Sequence, residues 1–95
     1  MYTIYVVFKC KDGCREKFVE QVKSQGILDE IKKEKGFIRY DYYYSDADPC
    51  ELLLIEAWES KDAQQLHITQ PHMARLREIK PDYVLSTTLG EFDLK

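Results

Sequence analysis

Four consecutive apolar residues, Leu52 to Ile55, lie between a turn cluster, Asp46-Ala47-Asp48-Pro49, and a helix start at Ser60. The run reads as a strand, and a strand that is apolar at successive positions needs cover on both faces. The same requirement arises at Tyr2 to Phe8, where Ile4, Val6 and Phe8 alternate with Tyr5 and Val7. Phe37 to Ser45 adds a further strand, with Ile38, Tyr40, Tyr42 and Tyr44 expected on one face and Phe37, Arg39, Asp41 and Tyr43 on the other. Any fold for this chain must therefore bury both sides of a sheet. Its 95 residues are expected to form one domain, 1–95, small enough that a monomer leaves much apolar surface wet.

Helical periodicity fills the intervals. Asp12-Gly13 is a turn with Asp12 as the expected N-cap, and Phe18, Val19 and Val22 follow on one helical face. The period slips at Ser24-Gln25-Gly26 and resumes at Ile27, Leu28 and Ile31, which predicts a kink or short break near Gly26 before the helix ends at Gly36. Ser60 is a natural N-cap for a second helix carrying Ala63, Leu66 and His67, and Asp62 suits its first turn. Gln70-Pro71 interrupts that helix. Pro71 fits the first position of a new one carrying His72, Met73, Leu76 and Ile79, and Pro81 ends it. Tyr83 to Phe92 is a fourth, weaker strand.

The order β-α-β-β-α-β, with the second helix split, is the α+β, ferredoxin-like plan: a four-stranded antiparallel sheet with its helices on one face. The other face, also apolar, then lacks cover within the chain. A homodimer joined through that open sheet face supplies it. The turn cluster makes the second and third strands a hairpin. If Ser45 pairs with Cys50, Arg39 lies opposite Glu56 and Asp41 opposite Leu54, and a one-residue slip reverses this.

Charge narrows the function. Fourteen Lys plus Arg stand against 17 Asp plus Glu, and the longest basic cluster, Lys32, Lys33 and Lys35, is interrupted by Glu34, so no nucleic-acid partner is expected. No apolar run approaches the roughly 20 residues of a membrane span, and MYTIYVVFK has no basic n-region; the chain reads as cytoplasmic, with no membrane partner. Cys10, Cys14 and Cys50 are odd in number and lack zinc-finger spacing, which suits reduced structural thiols. Nucleotide-binding glycine loops, a Gly-x-Ser-x-Gly elbow and a clustered carboxylate ligand set are absent from the sequence.

Candidate chemistry concentrates between Glu51 and Met73. His67 suits a general base at neutral pH, and equally suits a hydrogen-bonded histidine at a helix-sheet boundary. His72 lies five positions further on, with four residues between, so on a continuous helix the two rings lie about 140° apart; Pro71 breaks that helix as well, and no metal site is expected. His72, at the helix start, reads as a loop-orienting residue. Trp58 reads as core, or as a wall for a planar ligand. Glu56 shares its strand face and is costly to bury without a partner, which makes it either an ion-pair partner of Arg39 or a proton-handling carboxyl.

The series Glu56-Ala57-Trp58-Glu59-Ser60, Lys61-Asp62-Ala63, His67 and Thr69-Gln70-Pro71-His72-Met73 resembles the antibiotic biosynthesis monooxygenase (ABM) domain family, nearest to its small quinol monooxygenase-like bacterial members. Glu34-Lys35-Gly36-Phe37, Tyr40 and the acidic turn extend the likeness over most of the chain. The resemblance implies a dimeric α+β barrel, a pocket between each sheet and its own helices, and oxygenation of a small aromatic quinol or phenol by O2 without metal, flavin or other cofactor. It implies His67 as the catalytic base, Trp58 and Tyr40 against the substrate ring, and Glu56 or His72 orienting the base. The chain has no Asn, which the anthrone-oxidising and haem-degrading relatives use, and no His between Ala74 and Lys80 for a haem ligand. Another branch moves protons on a phosphorylated signal molecule, with Arg75 or Arg77 as phosphate contacts. A catalytically silent dimeric module that binds a small molecule is the third expectation.

Overall fold

In the computed structural model, which describes residues 1–92, the chain runs β1 (Tyr2–Cys10), α1 (Arg15–Ser24), α2 (Ile27–Lys32), β2 (Phe37–Tyr44), β3 (Glu51–Trp58), α3 (Lys61–His67), α4 (Pro71–Ile79), a 3₁₀ turn (Lys80–Asp82) and β4 (Val84–Glu91). The strands form one antiparallel sheet in the order β2-β3-β1-β4, which with the helices is the expected ferredoxin-like plan. Its helix-bearing face buries Ile4, Val6, Phe8, Leu52, Leu54 and Trp58 against Phe18, Val22, Ile27, Ile31 and Leu76. No helix among the described residues is long and apolar enough to cross a membrane.

The punctuation read from the sequence governs the helices. Gly26 takes the left-handed conformation, φ 74°, between α1 and α2, which is the break expected there. Ser60 caps α3, its Oγ accepting from Ala63 N at 3.1 Å, and Pro71 opens α4. The first cap differs from expectation. Cys14, not Asp12, occupies the N-cap of α1 and offers no side-chain bond, because the Asp12-Gly13 turn runs on to Cys14, whose N donates to Lys11 O.

The β2–β3 register is one residue from the pairing of Ser45 with Cys50. Ser45 N donates to Glu51 O, and the slip sets Tyr40 opposite Glu56 and Tyr42 opposite Leu54. Arg15 of α1 bonds to the turn in this register. Its guanidinium, over the Tyr44 ring at 4.6 Å, donates to the carbonyls of Ser45, Asp48 and Glu51 at 3.2, 3.0 and 3.4 Å, and Asp48 Oδ1 accepts from Cys50 N at 2.8 Å. Arg39 consequently lies on the outer face, paired with Asp41 at 2.8 Å and bonded to the Tyr43 hydroxyl, so it is not the partner of Glu56. A bulge between Phe37 and Arg39 also turns Phe37 toward the helix side, where its ring meets Trp58 edge-on at 5.8 Å, and leaves Ile38 exposed. Both strand faces expected for Phe37 and Ile38 are thereby exchanged.

Candidate functional site

The strand-to-helix junction builds the site. β3 ends at Trp58, the Ser60 cap turns the chain directly into α3, and His67 at the end of that helix comes to rest on Trp58, ring centroids 4.5 Å apart and planes tilted by 34°. The Tyr40 ring meets His67 at 5.8 Å from β2. The corrected register brings Glu56 into the same group, where its Oε1 accepts from Trp58 Nε1 at 3.0 Å. Exposure is 0% for Trp58, 1% for His67, 4% for Glu56 and 6% for Tyr40. These four expected site residues thus pack together under the helices.

The fifth, His72, joins them through a residue to which the sequence reading gives no site role. Glu34 sits in the turn between α2 and β2, its amide donating to Ile31 O at 3.0 Å and its carbonyl accepting from Phe37 N at 3.2 Å. Its Oε2 receives His67 Nδ1 at 2.8 Å and His72 Nε2 at 2.7 Å. The expectation that the two histidines stay apart is overturned: Pro71 turns the chain between α3 and α4, and the two rings reach one carboxylate from different helices. In sequence Glu34 enters only as the break in a lysine cluster and as the first residue of the Glu34-Lys35-Gly36-Phe37 match, and neither assigns its carboxylate a role.

Protonation follows from this geometry. A carboxylate oxygen has no proton to give, so each histidine donates, and His67 with its proton on Nδ1 keeps a lone pair on Nε2. Burial pulls the His67 pKa below its ordinary value, outweighing the opposite pull of the Glu34 carboxylate, and nearby His72 adds to the depression. The imidazole is therefore neutral at neutral pH and able to accept a proton. Burial pushes the Glu56 carboxyl up to about 7, against hydrogen bonds from Trp58 and Gln64, while the charge of Glu34 pushes it further up. Burial also raises the Tyr40 phenol well above its usual range, so it stays protonated. Beside it, the Tyr42 hydroxyl is buried with no hydrogen-bond partner among the described residues.

Solvent reaches the group from the Glu34 side. A cleft of about 360 Å³ is lined by Glu30, Lys33, Glu34, Gln70, Pro71, His72 and Arg75. Arg77 lies elsewhere, donating to Ile68 O at 3.1 Å across the α3–α4 break. Cys10, Cys14 and Cys50 are free thiols, and Cys10 is buried.

A ferredoxin-like α+β domain that closes its helix-sheet interface on a carboxylate-bound histidine, a tryptophan and a second buried carboxyl defines the class. The model of the family described as antibiotic biosynthesis monooxygenase matches residues 1–79. The chain belongs to that family. Its fold is similar to a candidate antibiotic biosynthesis monooxygenase from Nitrosomonas europaea, at 22% identity, TM-score 0.84 and coverage of 98% of this chain and 97% of that one. It is also similar to a conserved protein from Methanosarcina mazei Go1, at 24% identity, TM-score 0.82 and coverage of 100% and 95%. SnoaB, a cofactor-independent oxygenase from Streptomyces nogalater, matches at 18% identity, TM-score 0.81 and coverage of 99% and 92%. No curated protein matches the sequence significantly.

Proposed function

We propose that the protein is a cofactor-independent monooxygenase that oxidises a small quinol-like aromatic with O2, working as a homodimer in the cytoplasm. The observation that carries this reading is a neutral, buried His67 oriented on Nδ1 by Glu34 at 2.8 Å and flanked by the rings of Trp58 and Tyr40. In this scheme His67 Nε2 takes the proton of the substrate hydroxyl, and the imidazolium that forms is held by the Glu34 carboxylate on its other nitrogen. Triplet O2 accepts electrons slowly from closed-shell molecules, so the electron-rich anion supplies one itself. The radical pair joins at a substrate carbon bearing hydrogen, forming a C–O bond. Glu56, with its pKa about 7, protonates the distal peroxide oxygen. Loss of the carbon-bound hydrogen and cleavage of O–O then leave a carbonyl and one water, the substrate supplying all four electrons. Trp58 and Tyr40 contact the substrate ring, and His72 steadies Glu34 from the cleft side.

The dimer rests on the outer face of the sheet, where Tyr5, Val7, Leu53 and Ile55 lie half-buried in a single subunit and Tyr43 is 40% exposed. Two other readings each have one observation. Arg75 beside Lys33 and His72 in the cleft favours a proton-transfer isomerase acting on a small phosphorylated molecule. The direct Trp58–His67 stack, which fills the space beside the base, favours a silent binding module. O2 uptake with a panel of hydroquinones and naphthohydroquinones tests the first reading. Uptake that His67→Ala abolishes supports it; no uptake with any member, or uptake unchanged by that substitution, rejects it.

A further inference from the structure

The three donor atoms that meet at Glu34 are a metal-ligand set. His67 Nδ1, His72 Nε2 and the Glu34 carboxylate oxygen all lie within 4.8 Å of one another, and two of the three edges are already 2.8 and 2.7 Å. Two imidazoles and one carboxylate, with a fourth position left open, is a common zinc ligand set, and tetrahedral bonds of about 2.1 Å place donors about 3.4 Å apart. Small rotations of the histidine rings open the short edges to that spacing. The site is supported from outside its donors, since His67 is held on Trp58 at 4.5 Å and the Glu34 backbone is bonded on both sides. It also has an entrance, because Glu34 and His72 both line the cleft. Around the rim Glu30 and Glu34 balance Lys33 and Arg75 in number, and Lys33 leans on Glu30 at 3.9 Å.

We infer that Glu34, His67 and His72 form a binding site for a divalent transition ion of the zinc class, and that the ion inhibits proton abstraction by His67. The second half rests on the function proposed above, and the first does not. Coordination through Nδ1 requires that nitrogen to give up its proton, so neutral His67 takes its proton on Nε2. His72 coordinates through Nε2, which likewise gives up its proton, and Glu34 exchanges two N–H donors for the ion. The lone pair on His67 Nε2 disappears, and with it the base.

The test begins with the chelator-treated full chain titrated with Zn²⁺ and, for spectroscopy, Co²⁺. One ion per subunit is expected, with the intense visible absorption of tetrahedral Co²⁺ and a coordination shift of the ¹⁵N resonances of His67 Nδ1 and His72 Nε2. Affinity should fall at least about 100-fold in His72→Ala and in Glu34→Ala. Absence of binding at about millimolar Zn²⁺, a far weaker affinity than zinc sites show, overturns the site. So does binding that leaves both histidine resonances unmoved, a readout that needs no variant to fold. If the wild type consumes O2, Zn²⁺ should stop it and chelator should restore it; bound Zn²⁺ with undiminished turnover rejects the inhibition while leaving both the site and the proposed oxygenase standing.

Discussion

Glu34→Ala and Glu34→Gln separate the two jobs that one carboxylate oxygen performs. In the alanine variant the His67 and His72 N–H groups, both on buried rings, lose their shared acceptor. An unsatisfied buried donor costs about 1–3 kcal/mol, so two cost about 2–6 kcal/mol of folding stability. Glutamine keeps an oxygen where Oε2 stood, and its two lone pairs serve both donors. What it loses is charge, and neutral hydrogen bonds are roughly half as strong as charge-assisted ones, which limits the stability loss to about 1–2 kcal/mol. Catalysis should respond differently. A carboxylate about 4 Å from an imidazolium contributes up to about 4 kcal/mol at an effective dielectric of 20, and this attraction is absent while His67 is neutral. Glu34→Gln should therefore lower kcat about 100- to 1,000-fold, and it should lower the His67 pKa further, because Glu34 is the group that pulls it up. Urea unfolding at pH 7.5 and O2-electrode kinetics measure the two quantities. If the alanine variant loses less than about 1 kcal/mol and the glutamine variant turns over at the wild-type rate, Glu34 neither holds the histidines nor serves the base.

Glu56 makes stability depend on pH. Its folded pKa of about 7 exceeds the ordinary 4.5, so its contribution is full below pH 4.5 and is lost as pH rises through 7, a change of about 3 kcal/mol. His67 is depressed below 6.5 and acts oppositely, its contribution being lost as pH falls below 6.5. Glu56→Gln should thus gain stability over the wild type as pH is raised from 5 to 8, and a constant difference across that range refutes the burial argument. Gly36 and Gly26 share a left-handed backbone, but a Cβ at Gly36 meets Ala63 Cβ at 2.7 Å whereas one at Gly26 meets nothing within 4 Å. Gly26→Ala should cost about 1 kcal/mol and Gly36→Ala about 2–4; equal losses in denaturant titration show that the turn does not press on α3. Leu53→Glu, in the middle of the outer sheet face, should convert a dimer to monomer in sedimentation with the helix-side core intact, and an unchanged dimer moves the interface elsewhere.

What the sequence disclosed and what it withheld divide along physical lines. Elements governed by neighbouring residues were legible: the Ser60 cap, the Pro71 start and the Gly26 break each act through a few adjacent backbone groups. The element order and the four-stranded antiparallel plan followed from apolar periodicity and turn signals. The hairpin register was not legible, since the composition of Ser45 to Cys50 admits two pairings and part of the turn's hydrogen bonding in the observed one comes from Arg15, thirty residues before Ser45. That single residue of slip decides the chemistry. In the other register Glu56 faces Arg39 as an ordinary ion pair; in this one it is sealed beside Tyr40 and Trp58 and its carboxyl is lifted to about 7. Glu34 was hidden for the same kind of reason, because its partners lie 33 and 38 residues away, one on α3 and the other on α4. A site whose acid and base are both set by contacts between distant segments should therefore be sensitive to substitutions that touch neither. Arg15→Met, which removes the three carbonyl contacts while leaving an apolar stem over Tyr44, is the sharpest case: if register sets Glu56, the pH-dependent stability assigned to Glu56 should weaken with it, and a profile identical to wild type breaks the link between the α1 arginine and the buried acid.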